Sequence, residues 1–188
     1  MNKKMLIFLA DGFEEVEAFT PIDYLRRAGI EVCTVALGED KIITGSHKIT
    51  VIADESIANI KHTDDFDGVL IPGGMPGSAN LAESALLNTL LQKTNEKNRL
   101  ICAICAAPVI VLYPQGLLHG RKWTCFPGME DKAIEDKSGF SEKNLVIDGN
   151  LITSRAAGTA AAWALAIIES LAGKTAADKI ASSVLLNV

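Results

Sequence analysis

The sequence predicts an α/β sandwich with a mostly parallel central sheet and helices on both faces. Continuous apolar runs at 4–10 and 66–74 are typical of strands that are buried on both sides. Segments with helical spacing of apolar residues, at 14–29 and 84–98, alternate with such strands. The 188 residues suit one domain over 1–188, since no linker or repeat interrupts the alternation.

The first helix follows directly after the first strand. Its apolar positions are predicted to share one face: Val16, Phe19, Ile22 or Tyr24, and Leu25. Pro21 predicts a kink within this helix, and Gly29 predicts its end.

The remaining segments continue the strand–helix pattern along the chain. In order, we predict a strand at 31–37, a hairpin at 42–54 that turns near Gly45-Ser46, the strand at 66–74 that ends in a Gly pair, the helix at 84–98, a strand leading into a helix at 99–116, two strands around an Asp-Gly-Asn turn at 145–156, an apolar helix at 159–173 and a short helix at 175–183.

Charge and cysteine usage exclude some classes of protein. The net charge of -5 argues against a general nucleic-acid binder, because such proteins neutralise phosphates with a basic stripe. The apolar run at 5–10 is too short for a signal core or a membrane span, so we interpret it as a strand. We therefore expect a cytoplasmic protein, not bound to membranes, whose four cysteines are reduced.

Cys105 is the strongest candidate for chemistry, because it lies where a strand passes into a helix. A tight turn there holds the side chain out of the sheet, as in a nucleophile elbow, and the small neighbours Ala103, Ala106 and Ala107 suit such a turn. Pro108 suits the first turn of a helix. A helix N-terminus predicts a lowered pKa for the thiol. The alternative is a buried structural cysteine.

The other cysteines suggest weaker alternatives. Cys102 forms a CxxC with Cys105, but it falls inside the strand, whereas redox pairs lie together at a helix start. A zinc site has little support without a second CxxC or a close His pair. Cys33 lies in mid-strand and is interpreted as core. Cys125 is the better partner if any disulfide forms.

Two further loops follow strand ends and compete for a role. Gly73 and Gly74 let the backbone approach a ligand closely, and consecutive N–H groups can form an oxyanion hole; a plain turn is the alternative. Glu14, Glu15 and Glu17 follow the first strand, where acids also simply complement a helix dipole. A carboxyl buried against a thiolate would have a raised pKa and could donate a hydrogen bond to sulfur.

Five stretches together resemble the DJ-1/PfpI superfamily, specifically its DJ-1 branch: "LADGFEEVE", "DYLRRAG", "LIPGGMPGSANL", "ICAICAAP" and "LITSRAAGTA". They occur in order over nearly the whole chain. The resemblance implies a flavodoxin-like three-layer sandwich and a homodimer, for which helix 14–28 and its neighbouring loops are the expected interface.

The resemblance also implies roles for individual residues. The reactive cysteine of the family falls on Cys105, and the acid that bonds to it falls on Glu17. The backbone amides opposite the sulfur fall on Gly73 and Gly74, and Ala106 follows the nucleophile. In "SRAAGT", Ser154 and Arg155 are expected at the polar edge of the pocket.

One departure concerns histidine. Some family members carry a histidine near the cysteine, but here those positions are Ala106 and Phe126. This puts a Cys–His–acid triad in doubt and counts against the protease and amidotransferase relatives, which need an imidazole. Of the remaining histidines, His62 is expected in a solvated segment and His119 in a loop. His47 lies near the hairpin turn, where it could reach a dimer partner's pocket.

Three functions follow as hypotheses. The resemblance implies cofactor-independent chemistry on glyoxals or on glyoxal adducts of proteins or nucleotides, as a deglycase or glyoxalase without a metal, in carbonyl and oxidative stress defence. The alternative is a redox sensor or stress chaperone in which Cys105 oxidises to sulfinic acid and Glu17 halts oxidation there. A structural interaction protein, with Cys105 as a core residue, is the third.

Overall fold

The computed structural model describes residues 3–60, 66–133 and 136–186. The strands in these residues are β1 (Lys4–Leu9), β2 (Glu31–Ala36), β3 (Ile42–Thr44), β4 (Thr50–Ile52), β5 (Glu55–Ser56), β6 (Gly68–Ile71), β7 (Leu100–Ile104), β8 (Leu145–Asp148) and β9 (Leu151–Ser154). The helices are α1 (Glu15–Arg27), α2 (Gly77–Ala82), α3 (Ala85–Glu96), α4 (Ala160–Ala172) and α5 (Lys174–Ser183). Short 3₁₀ turns cover Ile57–Asn59, Tyr113–Gln115, Met129–Lys132 and Ala157–Thr159.

The central sheet has seven strands in the order β5-β2-β1-β6-β7-β9-β8. Its neighbours are parallel except at one edge, where β8 and β9 are antiparallel. β3 and β4 form a separate antiparallel hairpin. The predicted α/β sandwich of flavodoxin type is therefore confirmed, including both hairpins. β5 and α2 were not predicted, because two and six residues are too few for a periodic pattern.

Two hydrophobic cores lie on opposite faces of the sheet. In β1, alternate residues serve different cores: Met5 and Ile7 belong to one, Leu6 and Phe8 to the other. The first core is completed by α1, α4 and α5, and the second by α2 and α3. Burial on both faces explains why the strands are continuous apolar runs. No helix among the described residues is both long and apolar enough to cross a membrane.

The buried face of α1 differs from the prediction. The helix is continuous through Pro21, and Ile22 and Leu25 are buried as expected, but Val16 is 49% exposed. The side chains of Glu15 and Glu17, on either side of Val16, are buried instead. Polar partners outside the helix hold both carboxyls inward, and Val16 therefore faces outward.

The chain after Cys105 is less regular than predicted. A helix is expected there, but Pro108–Leu112 forms a π-helical turn that continues into the 3₁₀ turn at Tyr113–Gln115. Pro108 does occupy the first turn, as predicted. Gly116 ends the segment with a φ of 72°, a left-handed conformation that suits glycine.

The β3–β4 hairpin is anchored to the start of α1 by Glu15. The buried carboxylate accepts hydrogen bonds from the backbone N–H of His47 (2.7 Å) and from the hydroxyl of Ser46 (3.2 Å). Nδ1 of His47 lies 2.8 Å from Glu15 Oε2. Burial would raise the pKa of Glu15, but hydrogen bonds from the His47 side chain and from backbone N–H groups outweigh burial, and the net pKa is lowered. The same contact raises the pKa of His47 above its usual 6.5.

Because the pKa of His47 is raised on folding, its contribution to stability is complete below about pH 6.5, the unfolded value, and is lost as pH rises through the folded pKa. Glu15 has a lowered pKa, so it stays ionised above its unfolded value of 4.5. We expect His47→Gln to reduce the free energy of unfolding more at about pH 5.5 than at about pH 9. Urea denaturation at both pH values measures the difference.

Lys48→Gln is the matched control for this experiment. Lys48 is a cation in the same turn, and the described part of the chain shows no ion pair for it. Its replacement should change stability equally at both pH values. An equal loss at both pH values for His47→Gln would contradict the charged contact with Glu15.

Candidate active site

Three loops meet at one edge of the sheet. β1, β6 and β7 are neighbouring parallel strands, so the loops after their carboxyl ends share one rim. These loops lead to Glu17 in α1, to the pair Gly73-Gly74, and to Cys105. The strand order thus brings together the residues that the sequence placed at separate strand ends.

The backbone of Cys105 is held in an unusual conformation. Its φ is 63°, a left-handed value that costs a non-glycine residue about 1–3 kcal/mol. Its N–H donates to the carbonyl oxygen of Ser154 (3.0 Å), and its carbonyl oxygen accepts from the N–H of Phe126 (2.9 Å). These bonds on both sides of the residue hold the strained turn in place. The side chain is half-buried at the end of β7.

The sulfur of Cys105 is surrounded by hydrogen-bonding groups. The backbone N–H groups of Ala106 and Gly74 donate to it, and the carboxyl of Glu17 forms a side-chain hydrogen bond with it. Gly73 makes this contact possible: a Cβ there would lie 2.5 Å from Glu17 Oε2 and 3.0 Å from Cys105 Sγ. Any other residue would separate the acid from the thiol.

Glu17 is an almost fully buried acid. Burial raises its pKa to about 7, against hydrogen bonds from Cys105 and from the backbone N–H of Gly73, which lower it. Within this net pKa, the negative charge of Glu14 also favours the protonated form, and the N–H of Ala157 favours the ionised form. Near neutral pH this carboxyl therefore exchanges its proton readily, and its protonated form can donate to sulfur, as predicted for a buried carboxyl.

The predicted lowering of the Cys105 pKa is wrong. Burial first, and then the charge and hydrogen bond of Glu17, together raise the pKa of Cys105 to about 12. The N–H groups of Ala106 and Gly74 act in the predicted direction but are outweighed. Two negative charges in contact are unfavourable, so Glu17 and Cys105 titrate as a pair. The thiolate forms most readily while Glu17 keeps its proton.

The two glycine amides differ in their partners. The N–H of Gly73 does not face the sulfur as the resemblance implied; it donates to Glu17 Oε2 at 2.8 Å. The N–H of Gly74 does face the sulfur. A hydrogen-bond acceptor of a ligand at the sulfur would therefore be near the N–H groups of Gly74 and Ala106, since the N–H of Gly73 already donates to Glu17.

The residues expected around the pocket have mainly structural contacts. Ser154 is fully buried, and its hydroxyl donates to the carbonyl oxygen of Asn144 (2.7 Å) rather than lining a polar edge. The guanidinium of Arg155 donates to the carbonyl oxygens of Cys125 (3.2 Å) and Glu142 (2.7 Å). Phe126 is 45% exposed, beside the backbone of Cys105.

The remaining cysteines are free thiols. Cys102 is buried inside β7, as predicted, and burial raises its pKa. Cys33 is half-buried in β2, and burial raises its pKa as well. Cys125 is fully buried, which raises its pKa to about 12. None of these three is described in contact with Cys105.

The other histidines lie away from the sulfur or outside the description. His119 packs edge-on against Tyr113, with ring centroids 5.7 Å apart, in a turn as expected. His62 lies outside the described residues.

One group of potential metal ligands occurs in the described part of the chain. The ligand atoms of Glu14, Glu15 and His47 lie within 4.8 Å of one another. All three residues already form hydrogen bonds that anchor the hairpin or cap α1. No second feature in the described residues points to an ion there, and we assign no metal site.

Two contacts of the site were not predicted. The N–H of Ala157 reaches the Glu17 carboxylate, and the side chain of Glu14 caps α1 by accepting from the N–H of Glu17. A backbone amide carries no residue signature, so Ala157 could not be found from sequence. The capping role of Glu14 could have been predicted from the sequence, because an acid just before a helix is a common cap.

Several known proteins are similar to this chain in sequence and in fold. The DJ-1/PfpI family model matches residues 3–170. The protein dj-1beta of Drosophila melanogaster is 40% identical over 99% of this chain and 98% of its own length. A deglycase of Pyrococcus abyssi is 34% identical over 85% of this chain and 94% of its own. The structure of an oxidized DJ-1 from Toxoplasma gondii superposes with a TM-score of 0.94 at 35% identity, covering 99% of this chain and 100% of its own. With its sheet order, its Cys105 turn and these matches, the chain belongs to the DJ-1/PfpI family.

Proposed function

We propose that the protein acts on glyoxals or on glyoxal-derived adducts of proteins or nucleotides, as a deglycase or glyoxalase without a cofactor, in carbonyl and oxidative stress defence. One observation carries the proposal: a buried acid with a pKa of about 7 contacts the sulfur of Cys105, beside two backbone N–H donors. The similarity to a deglycase supports it. The substrate class in this proposal is a small aldehyde or a glycated macromolecule.

The first step forms a bond between sulfur and the aldehyde carbon. The Cys105 thiolate attacks while Glu17 holds the proton of the pair, and the aldehyde oxygen becomes an oxyanion. The N–H groups of Gly74 and Ala106 are the donors nearest to this charge.

Proton transfers then convert the adduct to a hydroxy acid. Glu17 gives its proton to the neighbouring carbonyl oxygen, takes the proton from the carbon that carries sulfur, and delivers it to the former carbonyl carbon. The oxyanion becomes the carbonyl of a thioester. Water hydrolyses the thioester, which releases the hydroxy acid and the thiolate and returns one proton to Glu17.

Methylglyoxal and lactate give a direct test. We expect reduced, metal-free, catalase-treated protein to form lactate, and Cys105→Ser to form it only at the uncatalysed rate, because a hydroxyl is a far weaker nucleophile than a thiolate. Cys33→Ser is the matched control, a thiol in β2 outside the site, and should keep full activity. Lactate formation by Cys105→Ser above the uncatalysed rate would overturn the proposed chemistry.

A redox sensor or stress chaperone is the second candidate. A carboxyl that can donate to the sulfur of Cys105 could equally hold a sulfinate and stop oxidation at that stage. The similarity to a DJ-1 whose structure is of an oxidized form supports this candidate.

Mild peroxide treatment followed by intact mass measurement tests the sensor. We expect a gain of two oxygen atoms that disappears in Cys105→Ala and persists in Cys125→Ala, because Cys125 is fully buried. Absence of oxidation at modest peroxide, or its persistence in Cys105→Ala, would count against Cys105 as the sensing thiol.

We also propose a homodimer formed through α1 and the β3–β4 hairpin. Val16 and Ile49 are each 49% exposed, and Ile49 adjoins Glu15 at the start of α1. Apolar side chains in this position favour a protein contact.

Analytical ultracentrifugation tests this interface. We expect a dimer for the wild type and a shift toward monomer for Val16→Asp, which would bury an unpaired charge. Ile147→Asp, at the exposed position of the edge strand β8, is the control and should leave the assembly unchanged. A monomeric wild type, or a dimer unaffected by Val16→Asp, would contradict the proposed interface.

A further inference from the structure

Three hydrogen bonds form a closed ring around Glu14. The N–H of Glu14 donates to the carbonyl oxygen of Gly73 (3.0 Å), and the N–H of Gly73 donates to Glu17 Oε2 (2.8 Å). The ring closes where the N–H of Glu17 donates to Glu14 Oε2 at 2.7 Å. Glu14 is thereby bonded both to the loop after β6 and to the residue that carries the acid.

The backbone of Glu14 also limits where the glycine loop can lie. A Cβ at Gly74 would be 2.4 Å from the backbone nitrogen of Glu14, and a Cβ at Gly73 would be 2.6 Å from the Cβ of Cys105. The loop is therefore packed between Glu14 on one side and Cys105 on the other. A shift of Glu14 would move the Gly74 amide relative to the sulfur.

The charge of Glu14 acts on the same acid. Its side chain is 15% exposed, and its negative charge disfavours ionisation of Glu17. The titratable groups described around Glu14 and Glu17 come from three elements. Cys105 follows β7, Glu14 and Glu15 begin α1, and His47 of the hairpin lies 3.9 Å from Glu14 Oε1.

We propose that Glu14 is a positioning residue for the Cys105 site: its side chain fixes the backbone of Glu17, and its backbone fixes the Gly73-Gly74 loop, against the sulfur. The negative charge of Glu14 acts in addition, because it disfavours ionisation of Glu17. This role deepens the proposed function, because it concerns the same sulfur. It requires only that Cys105 reacts as a thiolate, so it can be tested without turnover.

Two substitutions separate the geometric role of Glu14 from its charge. Glu14→Gln keeps a side-chain oxygen that can accept from the N–H of Glu17 but removes the negative charge. Glu14→Ala removes both. Asp23→Asn is the matched control, since Asp23 is an acid of the same helix that pairs with Arg27 at its far end.

The measurement is the pH profile of Cys105 alkylation by iodoacetamide, read from the mass of the peptide that carries Cys105. We expect Glu14→Gln to move the inflection near neutral pH to lower pH, because removing a negative charge lets the Glu17–Cys105 pair lose its first proton more easily. Its alkylation rate above that inflection should stay within about threefold of wild type, because the cap is retained. Asp23→Asn should match the wild-type profile.

Glu14→Ala should show the same acid shift together with an alkylation rate reduced about five- to tenfold, because the side-chain cap on the N–H of Glu17 is lost while the backbone bond to Gly73 remains. Thermal unfolding of each variant shows whether it is folded. If the alanine variant does not fold, the shift in the glutamine variant decides alone.

A pH profile in Glu14→Gln identical to wild type would overturn the proposal, even if either variant were less stable, because a purely structural cap would lower stability without moving the inflection. The result is independent of the lactate assay: loss of the proposed function would appear as no turnover in the wild type, whatever the alkylation profile shows.

Discussion

The contact between the Glu17 carboxyl and the Cys105 sulfur is the constraint on which the rest of the site depends. Both groups are acids, and burial disfavours the charged form of each. Because the two groups are in contact, a negative charge on one makes ionisation of the other still less favourable. The pair therefore keeps one proton over a wide pH range, and the position of that proton decides whether sulfur is a nucleophile. Gly73 is the structural condition for this arrangement, because a side chain there would occupy the space between them.

Such a contact needs a fold that brings distant parts of the chain together. Glu17, Gly73 and Cys105 follow three different strands, and the order β1-β6-β7 places those strand ends side by side. The positive φ of Cys105 has a local conformational cost. Hydrogen bonds to the backbones of Ser154 and Phe126 hold the residue in this conformation. Packing on both faces of the sheet supplies the rigidity that keeps the acid and the thiol in contact.

The sequence predicted the fold well because strands buried on both faces leave long apolar runs. It also placed Cys105 at a strand end and singled out Glu17 as a carboxyl suited to burial against sulfur. It was wrong about the direction of the Cys105 pKa, because burial and a neighbouring carboxylate depend on packing that a helix-terminus rule ignores. The partners of the Gly73 and Ala157 amides could not be predicted, because a backbone N–H looks the same in every residue. Val16 was misplaced because partners elsewhere in the chain hold its two neighbouring glutamates inward.

At the two positions where some family members carry a histidine, this chain has Ala106 and Phe126. The backbone N–H of Phe126 donates to the carbonyl oxygen of Cys105, and this hydrogen bond does not depend on which side chain stands at the position. A histidine in a Cys–His–acid triad supplies a group that both accepts and donates a proton near neutral pH. A carboxyl with a pKa of about 7 has the same capacity, and Glu17 acquires it through burial. With a single proton shared between acid and thiol, the group that donates to the sulfur is also the group that can accept a proton from a bound adduct.

An imidazolium would add a positive charge to the pocket and stabilise the thiolate permanently. The buried carboxyl adds no positive charge, so the Cys105 thiol stays neutral except when the remaining proton of the pair lies on Glu17.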